Sequence, residues 1–541
     1  MLGQMQEQPL LVSQLLTHAE LFHPTKRIIT KTVEGHFHEY TYKDAAKRSK
    51  QLAQALIKLG VKKGDVVGTL AWNTYRHFEC WYGISGMGGV LHTINPRLFP
   101  EQLNYIINHA EDSFLFLDTT FVPLLEALQS KLPKVKGYVI MTDQAHMPKT
   151  TLPNAICYDT LLDEQSGDYQ WPELPEEQAT SICYTSGTTG NPKGVVYTQR
   201  SSVLHSWALL SADVIGLNNA MRVLPIVPMF HANSWGLVYG CAMSGAEMIL
   251  PGPHLDGANV CDMINRYQVN FSAAVPTVWT MLLQHLTNSG DKVESLESVL
   301  IGGSAVPKAM IQAFEKNYGV EVWHAWGMTE LSPLGSVNKP QIGERELPYE
   351  QQLNIKAKQG RPPFGVQMKI VDDNNAPLPH DGIAFGRLLV KGPWIAKQYF
   401  KIDEPAVDAD GWFDTGDVAT IDATGNMQIT DRSKDVIKSG GEWISSIDLE
   451  NAAMGHDDVL EAAVIGVAHP KWEERPLLIV VAKDASNAPT TESIMTLLKD
   501  KVAKWWLPNG VEFVSKIPHT ATGKINKVDL REQFKDYQFK D

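Results

Sequence analysis

Between Tyr42 and Leu59 (YKDAAKRSKQLAQALIKL) the apolar residues Ala45, Leu52, Ala55 and Leu56 recur at helical spacing, and Gly60 ends the run. This predicts an amphipathic helix. The short apolar run DVVGTLAW that follows predicts a strand. A second helix, Glu101 to His109 after Pro100, and a second strand, Ser113 to Asp118 (SFLFLD), continue the alternation, which recurs from Val260 to Tyr318. Helices alternating with strands imply α/β layers in which helices cover a largely parallel sheet. The pattern changes after about Pro363, where short strands are separated by turn signals at Asp372-Asp373-Asn374-Asn375 and Asp381-Gly382. Beyond Asp431 it changes again: a polar stretch rich in Lys and Gly leads into VLEAAVIGV, LLIVVA and a helix expected over Ser493 to Lys504. The expected fold is therefore α/β, with a large N-terminal domain over 1–432 that includes a β-rich subdomain at about 363–431. A small α+β C-terminal domain is expected over 435–541, with the boundary at 432–435.

The chain has 541 residues and is 43% hydrophobic, enough for about three to four domains, which excludes whole-chain disorder. Lys and Arg total 48 against 61 for Asp and Glu, a net charge of -13 with no basic run, so nucleic-acid binding is not expected. A nucleotide is a different matter, because a few Lys, Arg and backbone N–H groups neutralise it locally. The five cysteines, Cys80, Cys157, Cys183, Cys241 and Cys261, are widely spaced without a Cys-x-x-Cys pair, and this pattern fits a reducing cytoplasm. The N-terminal stretch MLGQMQEQPLLVSQLL has no charged region followed by a continuous apolar core, and no run of 18 apolar residues occurs, so neither export nor a membrane span is expected.

The most informative stretch is Tyr184 to Gly194 (YTSGTTGNPKG), lying between apolar runs that read as strands. Thr185, Ser186, Thr188 and Thr189 offer hydroxyls, Gly187 and Gly190 admit close approach of an anion to the backbone, and Lys193 adds a point charge. A Walker A loop needs Gly before its Lys and Ser or Thr after it, whereas Lys193 lies between Pro192 and Gly194. The stretch reads as a phosphate-binding loop of another kind, the alternative being an ordinary polar surface loop.

Here the chain resembles the adenylate-forming superfamily of acyl-CoA synthetases, peptide-synthetase adenylation domains and firefly luciferase. Further family motifs follow in the family's order: PMFHANSW at 228–235, GGSAVP at 302–307, WHAWGMTE at 323–330, GWFDTGD at 411–417, DRSKDVIKSGGEWIS at 431–445 and HTATGKI at 519–525. The resemblance implies ATP, Mg²⁺ and coenzyme A as cofactors and a carboxylic acid as substrate. It places Glu330 and Thr185 at the metal, and Thr329 at the α-phosphate. Gly303, Ser304, Ala305, His324, Ala325 and Trp326 would line the adenine. Trp326 stands where the family most often has Tyr; it can stack on the base but lacks the phenolic hydroxyl. Asp417 would accept both ribose hydroxyls, with Arg432 beside it. His231 would orient the carboxylate or gate its access, while Trp235, Gly303 and Pro333 would shape an acyl site suited to a short or medium chain. Lys524 would bridge the carboxylate and the α-phosphate during adenylation. Lys527 nearby reads as surface charge. The family's small domain is mobile and pivots at the residue corresponding to Lys434, bringing Lys438, Gly440, Gly441, Glu442 and Trp443 toward the adenylate for thioester formation.

The expected reaction is thus carboxylate plus ATP to acyl-adenylate and pyrophosphate, then transfer of the acyl group to CoA. Similarity is closest to medium-chain fatty acyl-CoA ligases, a group that resembles and includes 3-(methylthio)propionate:CoA ligases, and members are often homodimers. Two alternatives remain open at this point: an adenylating enzyme that does not use CoA, such as an acyl-AMP ligase or a luciferase-like oxygenase, and a catalytically silent binding relative.

Overall fold

A computed structural model gives the fold; it describes residues 1–185, 191–439, 442–484, 486, 488–499, 501–519 and 525–539, with only the backbone of Glu442 and Trp443. The first expected helix runs Tyr42–Lys58. Its N-terminus is fixed by Thr41, whose side chain accepts from the Asp44 N–H while the Asp44 carboxylate accepts from the Thr41 N–H. The second runs Pro100–Ala110 with proline in its first turn, where a missing N–H costs nothing.

Two large sheets form the body. One orders its strands Ala155–Cys157, Gly137–Ile140, Phe114–Leu117, Val66–Leu70, Val90–Thr93, Ala179–Tyr184 and Gly194–Thr198. The other orders Leu334–Asn338, Glu321–Gly327, Ser298–Ile301, Phe271–Ala274, Arg222–Pro225, Glu247–Leu250, Arg27–Lys31 and Phe37–Thr41. Both are parallel except at edges, where Gly194–Thr198, Leu334–Asn338 and Phe37–Thr41 run antiparallel to their neighbours. Helices Val12–Phe22, Tyr42–Lys58, Tyr75–Gly86 and Leu237–Ser244 pack in one apolar cluster with inner-face residues of both sheets, such as Val67, Phe116, Val223 and Phe271. Separate clusters bury Pro100–Ala110 against the outer face of the first sheet and Gly257–Tyr267, Pro276–Ser289 and Lys308–Tyr318 against that of the second. The body is therefore a five-layer stack, helices outside and between two sheets. Every residue of Tyr75–Gly86 is buried. Its Glu79 is paired with Arg48 at 2.7 Å and accepts a hydrogen bond from the Tyr158 hydroxyl at 2.7 Å, as a charge in that layer must.

Strands Gln367–Val371, Phe385–Lys391, Phe413–Ile421 and Met427–Arg432 form a third, antiparallel sheet. A fourth is built on the hairpin Val459–His469 and Glu473–Ala482, flanked by helices Ser446–Ala453 and Thr491–Lys499 on one face and Lys527–Gln533 on the other. Two sequence expectations need correction. The helix expected over Ser493 to Lys504 spans Thr491–Lys499, and a separate turn of 3₁₀ helix covers Lys504–Trp506 and ends where Pro508 holds Leu507 extended. Lys527 is not surface charge: its ammonium is 2.7 Å from Glu450, both side chains being largely buried, and it also donates to the Ser446 hydroxyl.

Candidate active site

The carboxyl ends of the parallel strands in both large sheets open on one cavity of ≈ 960 Å³, whose walls also come from the third and fourth sheets. Such a crevice is where open α/β sheets bind ligands. Tyr184 ends one strand and pairs with Gly194 at the start of the next, so the predicted strand-loop-strand is present. At the stem the Thr185 N–H donates to the Lys193 carbonyl at 2.9 Å, and the Lys193 N–H donates to the Thr185 hydroxyl at 3.3 Å. The Lys193 ammonium lies 4.8 Å from the centre of the Tyr399 ring. Ser186, Gly187, Thr188 and Thr189 lie outside the described residues.

Glu321–Gly327 delivers His324, Ala325 and Trp326 to the cavity, and Thr329 and Glu330 follow in a short 3₁₀ turn. The turn is fixed from two sides: the Tyr197 hydroxyl donates to the Thr329 carbonyl at 2.7 Å, and the Tyr399 hydroxyl donates to the Glu330 carboxylate at 2.7 Å. His324 is buried, which lowers its pKa to about 4, and its Nδ1 lies 3.0 Å from the Ala357 carbonyl. Its ring is a neutral structural support at neutral pH.

Asp417 is 2% exposed. One carboxylate oxygen lies 2.8 Å from Arg432 Nε, and the other accepts from the Trp326 indole N–H at 2.9 Å. The indole thus supplies a hydrogen bond at a position where the family's phenol is missing. Trp326 also packs against Gly335, where an added Cβ would lie 2.3 Å from the ring.

His231 precedes four consecutive non-glycine residues with positive φ, from Ala232 at 43° to Trp235 at 53°. Left-handed backbone costs about 1–2 kcal/mol per non-glycine residue, and such strain is retained where it aims a side chain. The run is held by the Ser234 hydroxyl donating to the Val227 carbonyl at 3.0 Å and by the Ser181 hydroxyl donating to Asn233 at 3.4 Å. It turns the half-buried Trp235 over Gly302, where a Cβ would sit 3.2 Å from the indole. Gly303 itself has φ 85°, and with Ser304, Ala305 and Pro333 it lines the cavity. Leu209, Val214, Ile215, Leu300, Leu334 and Val337 give the same cavity an apolar lining.

Arg97, Lys193, Arg432 and Lys434 line the cavity together with the carboxylates Glu330, Asp414, Asp417, Asp431 and Asp435, so its polar part carries both signs of charge. Burial lowers the Lys434 pKa, as it does that of Arg97. Lys438 lies in the strand Ile437–Ser439, its N–H donating to Glu474 at 3.0 Å; Gly440 and Gly441 lie outside the described residues, and the backbone of Glu442 and Trp443 pairs with that strand. Lys524 also lies outside the described residues. Its neighbours His519 and Ile525 form a β-bridge and line the cavity. Tyr197 and Tyr399 were not identified from sequence, since neither stands in a phosphate-binding or charged pattern and their partners are 132 and 69 residues away.

Residues 17–400 match the family described as AMP-binding enzyme, and residues 448–524 match the AMP-binding enzyme C-terminal domain. The chain is 50% identical to 3-methylmercaptopropionyl-CoA ligase of Ruegeria lacuscaerulensis over 536 residues, covering 99% of each. It is 46% identical to the medium-chain-fatty-acid–CoA ligase of Ectopseudomonas oleovorans, covering 99% of this chain and 98% of that one. Among solved structures, the anthranilate CoA ligase AuaEII in complex with anthranoyl-AMP superposes with a TM-score of 0.86 at 26% identity, covering 98% of both chains.

Proposed function

The chain belongs to the AMP-binding enzyme family and is an AMP-forming acid:CoA ligase that uses ATP, Mg²⁺ and CoA, and we propose on that premise that its acid is 3-(methylthio)propionate or an unbranched fatty acid of short or medium length. The observation that carries this reading is one cavity that joins a polar part, with Lys193, Arg432 and Glu330, to an apolar part bounded by the inward-turned Trp235. An apolar site of that kind discriminates chain length by about 1–3 kcal/mol per methylene.

Adenylation brings a carboxylate onto the α-phosphorus of ATP, so two anions must share one site. Lys193 beside Tyr399 supports a place for the triphosphate at the 184–194 stem. The carboxylate of Glu330 and the hydroxyls of Thr185 and Thr329 are hard oxygen donors of the type Mg²⁺ takes, and they line the same cavity. Mg²⁺ held there would neutralise phosphate charge. Asp417 and Arg432 are assigned to the ribose, the 303–305 and 324–326 segments to adenine, and His231 to positioning the carboxylate. Lys524 is assigned to the bridge between carboxylate and α-phosphate. We further propose a division at 432–435 into units of 1–432 and 435–541 that pivot at Lys434, with Lys438 to Trp443 presented to CoA after pyrophosphate leaves. No helix among the described residues is long and apolar enough to cross a membrane. The five cysteines are all free and buried, which supports a reducing cytoplasm, and homodimerisation is the assembly proposed for light-scattering measurement.

Pyrophosphate exchange and thioester formation over the straight-chain acids from propionate to decanoate, with 3-(methylthio)propionate, test the substrate. The greatest kcat/KM should fall on methylthiopropionate or a short- or medium-chain acid, and a preference for aromatic or long-chain acids would refute the proposal. Lys524→Ala should slow the first half-reaction by about 10²–10³-fold, the size expected for a lost transition-state charge contact. Unchanged exchange would remove Lys524 from the mechanism.

A further inference from the structure

We propose that His109, through its hydrogen bond to Tyr184, is a positioning residue that sets the stem of the phosphate-binding loop for ATP. The inference rests on the reading that residues 184–194 receive the triphosphate. His109 occupies the last turn of the helix Pro100–Ala110, on the outer face of the seven-stranded sheet, and has no part in the chemistry assigned above. Its Nδ1 lies 2.7 Å from the Tyr184 phenolic oxygen. Its ring stacks on Tyr105 at 5.2 Å and meets the edges of Phe400 at 5.5 Å and Tyr184 at 5.8 Å. Burial and the nearby Lys401 lower its pKa, so the imidazole stays neutral and shares this hydrogen bond without adding charge.

Tyr184 is the last residue before the loop, and the stem around it has little freedom. Behind its ring stands His92, 5.0 Å away between ring centres and held by Asp112 at 2.8 Å, both residues fully buried. On the opposite strand, Gly194 touches both the Tyr184 ring and Phe400: an added Cβ there would lie 3.2 Å from Tyr184 Cζ and 3.1 Å from Phe400 Cβ. The Phe400 N–H donates to the Gly194 carbonyl at 2.8 Å. Lys401 closes the grip, donating to the His109 carbonyl at 2.9 Å and pairing with Glu111 at 2.7 Å. One side chain thus links the helix, the loop stem and the segment that also carries Tyr399, whose hydroxyl holds Glu330. A rotation of Tyr184 would shift Thr185 and, through their two mutual hydrogen bonds, Lys193.

The pair, a buried Tyr184 and a half-buried His109, has an ordinary alternative role, that of stabilising the fold alone, and kinetics separate the two. Removing one net hydrogen bond is worth about five- to tenfold. His109→Ala and Tyr184→Phe should each raise the KM for ATP by about that factor in pyrophosphate exchange, with the KM for the acid and for CoA unchanged. His109→Asn, whose amide reaches the place of Nδ1, should recover most of the loss. The double variant should be no worse than either single one, because both remove the same contact. Three results would overturn the proposal: a lowered Tm with a wild-type KM for ATP, equal rises in the KM for ATP and acid, or losses that multiply in the double variant. Tyr184→Phe removes a single oxygen and keeps the test available should His109→Ala not fold. Lys193→Ala distinguishes the two levels of inference. If it weakens ATP binding while His109→Ala does not, only the positioning role fails; if Lys193→Ala leaves ATP binding unchanged, the placement of the triphosphate fails with it.

Discussion

Replacing Trp326 by Phe isolates one hydrogen bond at the end of the cavity proposed for the nucleotide. A carboxylate offers about four acceptor positions. In Asp417 one oxygen is engaged by Arg432 at 2.8 Å and the other by the Trp326 indole at 2.9 Å, and the proposed ribose hydroxyls would meet this same carboxylate. Phe keeps a flat aromatic face for stacking and removes the N–H that fixes the plane of the carboxylate. A hydrogen bond to a charged group is worth about 1.5–3 kcal/mol, and the lower end applies because the indole is only half-buried. That corresponds to about a tenfold rise in the KM for ATP. Pyrophosphate exchange at saturating acid should show this rise with kcat changed by no more than about twofold, since ribose contacts serve ground state and transition state alike. The preference for ATP over 2′-deoxyATP should shrink in the same variant, because a misaligned Asp417 rewards the 2′-hydroxyl less. If Trp326→Phe kept both the wild-type KM and the full preference, the indole would have no role in orienting Asp417 and the ribose assignment would lose its support.

Two further changes test the energetics of buried charge. Burial raises the Asp118 pKa from 3.8 to about 7, and its carboxylate accepts from the Trp72 N–H at 2.7 Å. A raised carboxyl stabilises the fold fully below pH 3.8 and loses that contribution as pH climbs to about 7, so Asp118→Asn should gain on wild type across this window and hold a constant difference above it. The swing is of order 4 kcal/mol, from about three pH units at about 1.4 kcal/mol each; urea titrations from pH 5 to 8 that diverge in the opposite sense would refute it. Lys527→Ala leaves Glu450 without its 2.7 Å partner and should destabilise the C-terminal unit by about 3–5 kcal/mol. Early proteolysis confined to residues beyond about 435 would report this, and wild-type resistance would contradict the buried pairing.

How legible each part was depended on how far its causes lie along the chain. The Tyr42–Lys58 helix could be read because its cap, its apolar face and its stop are all local. The Tyr75–Gly86 helix gave no such signal: it is buried on every side and has no polar face to set a period. The loop at 184–194 and the ordered motifs marked the site, yet they could not show that Trp326 donates to Asp417, 91 residues away. Lys527 was misread for the same reason, since its partner Glu450 belongs to another helix and a solitary Lys in sequence resembles solvated charge. The left-handed run at 232–235 was also invisible, because non-glycine residues in that conformation are held there by neighbours that only the folded chain supplies.

The walls of the cavity reach from Arg97 to Arg531 along the chain. No excised piece of the polypeptide can hold a complete set of contacts, and whatever occupies the space fastens segments that are otherwise strangers. Occupancy by nucleotide at a hundred times its dissociation constant would add about 2.7 kcal/mol to the molecule as a whole. Heat resistance should therefore rise with nucleotide concentration, making the empty enzyme the form most easily unfolded.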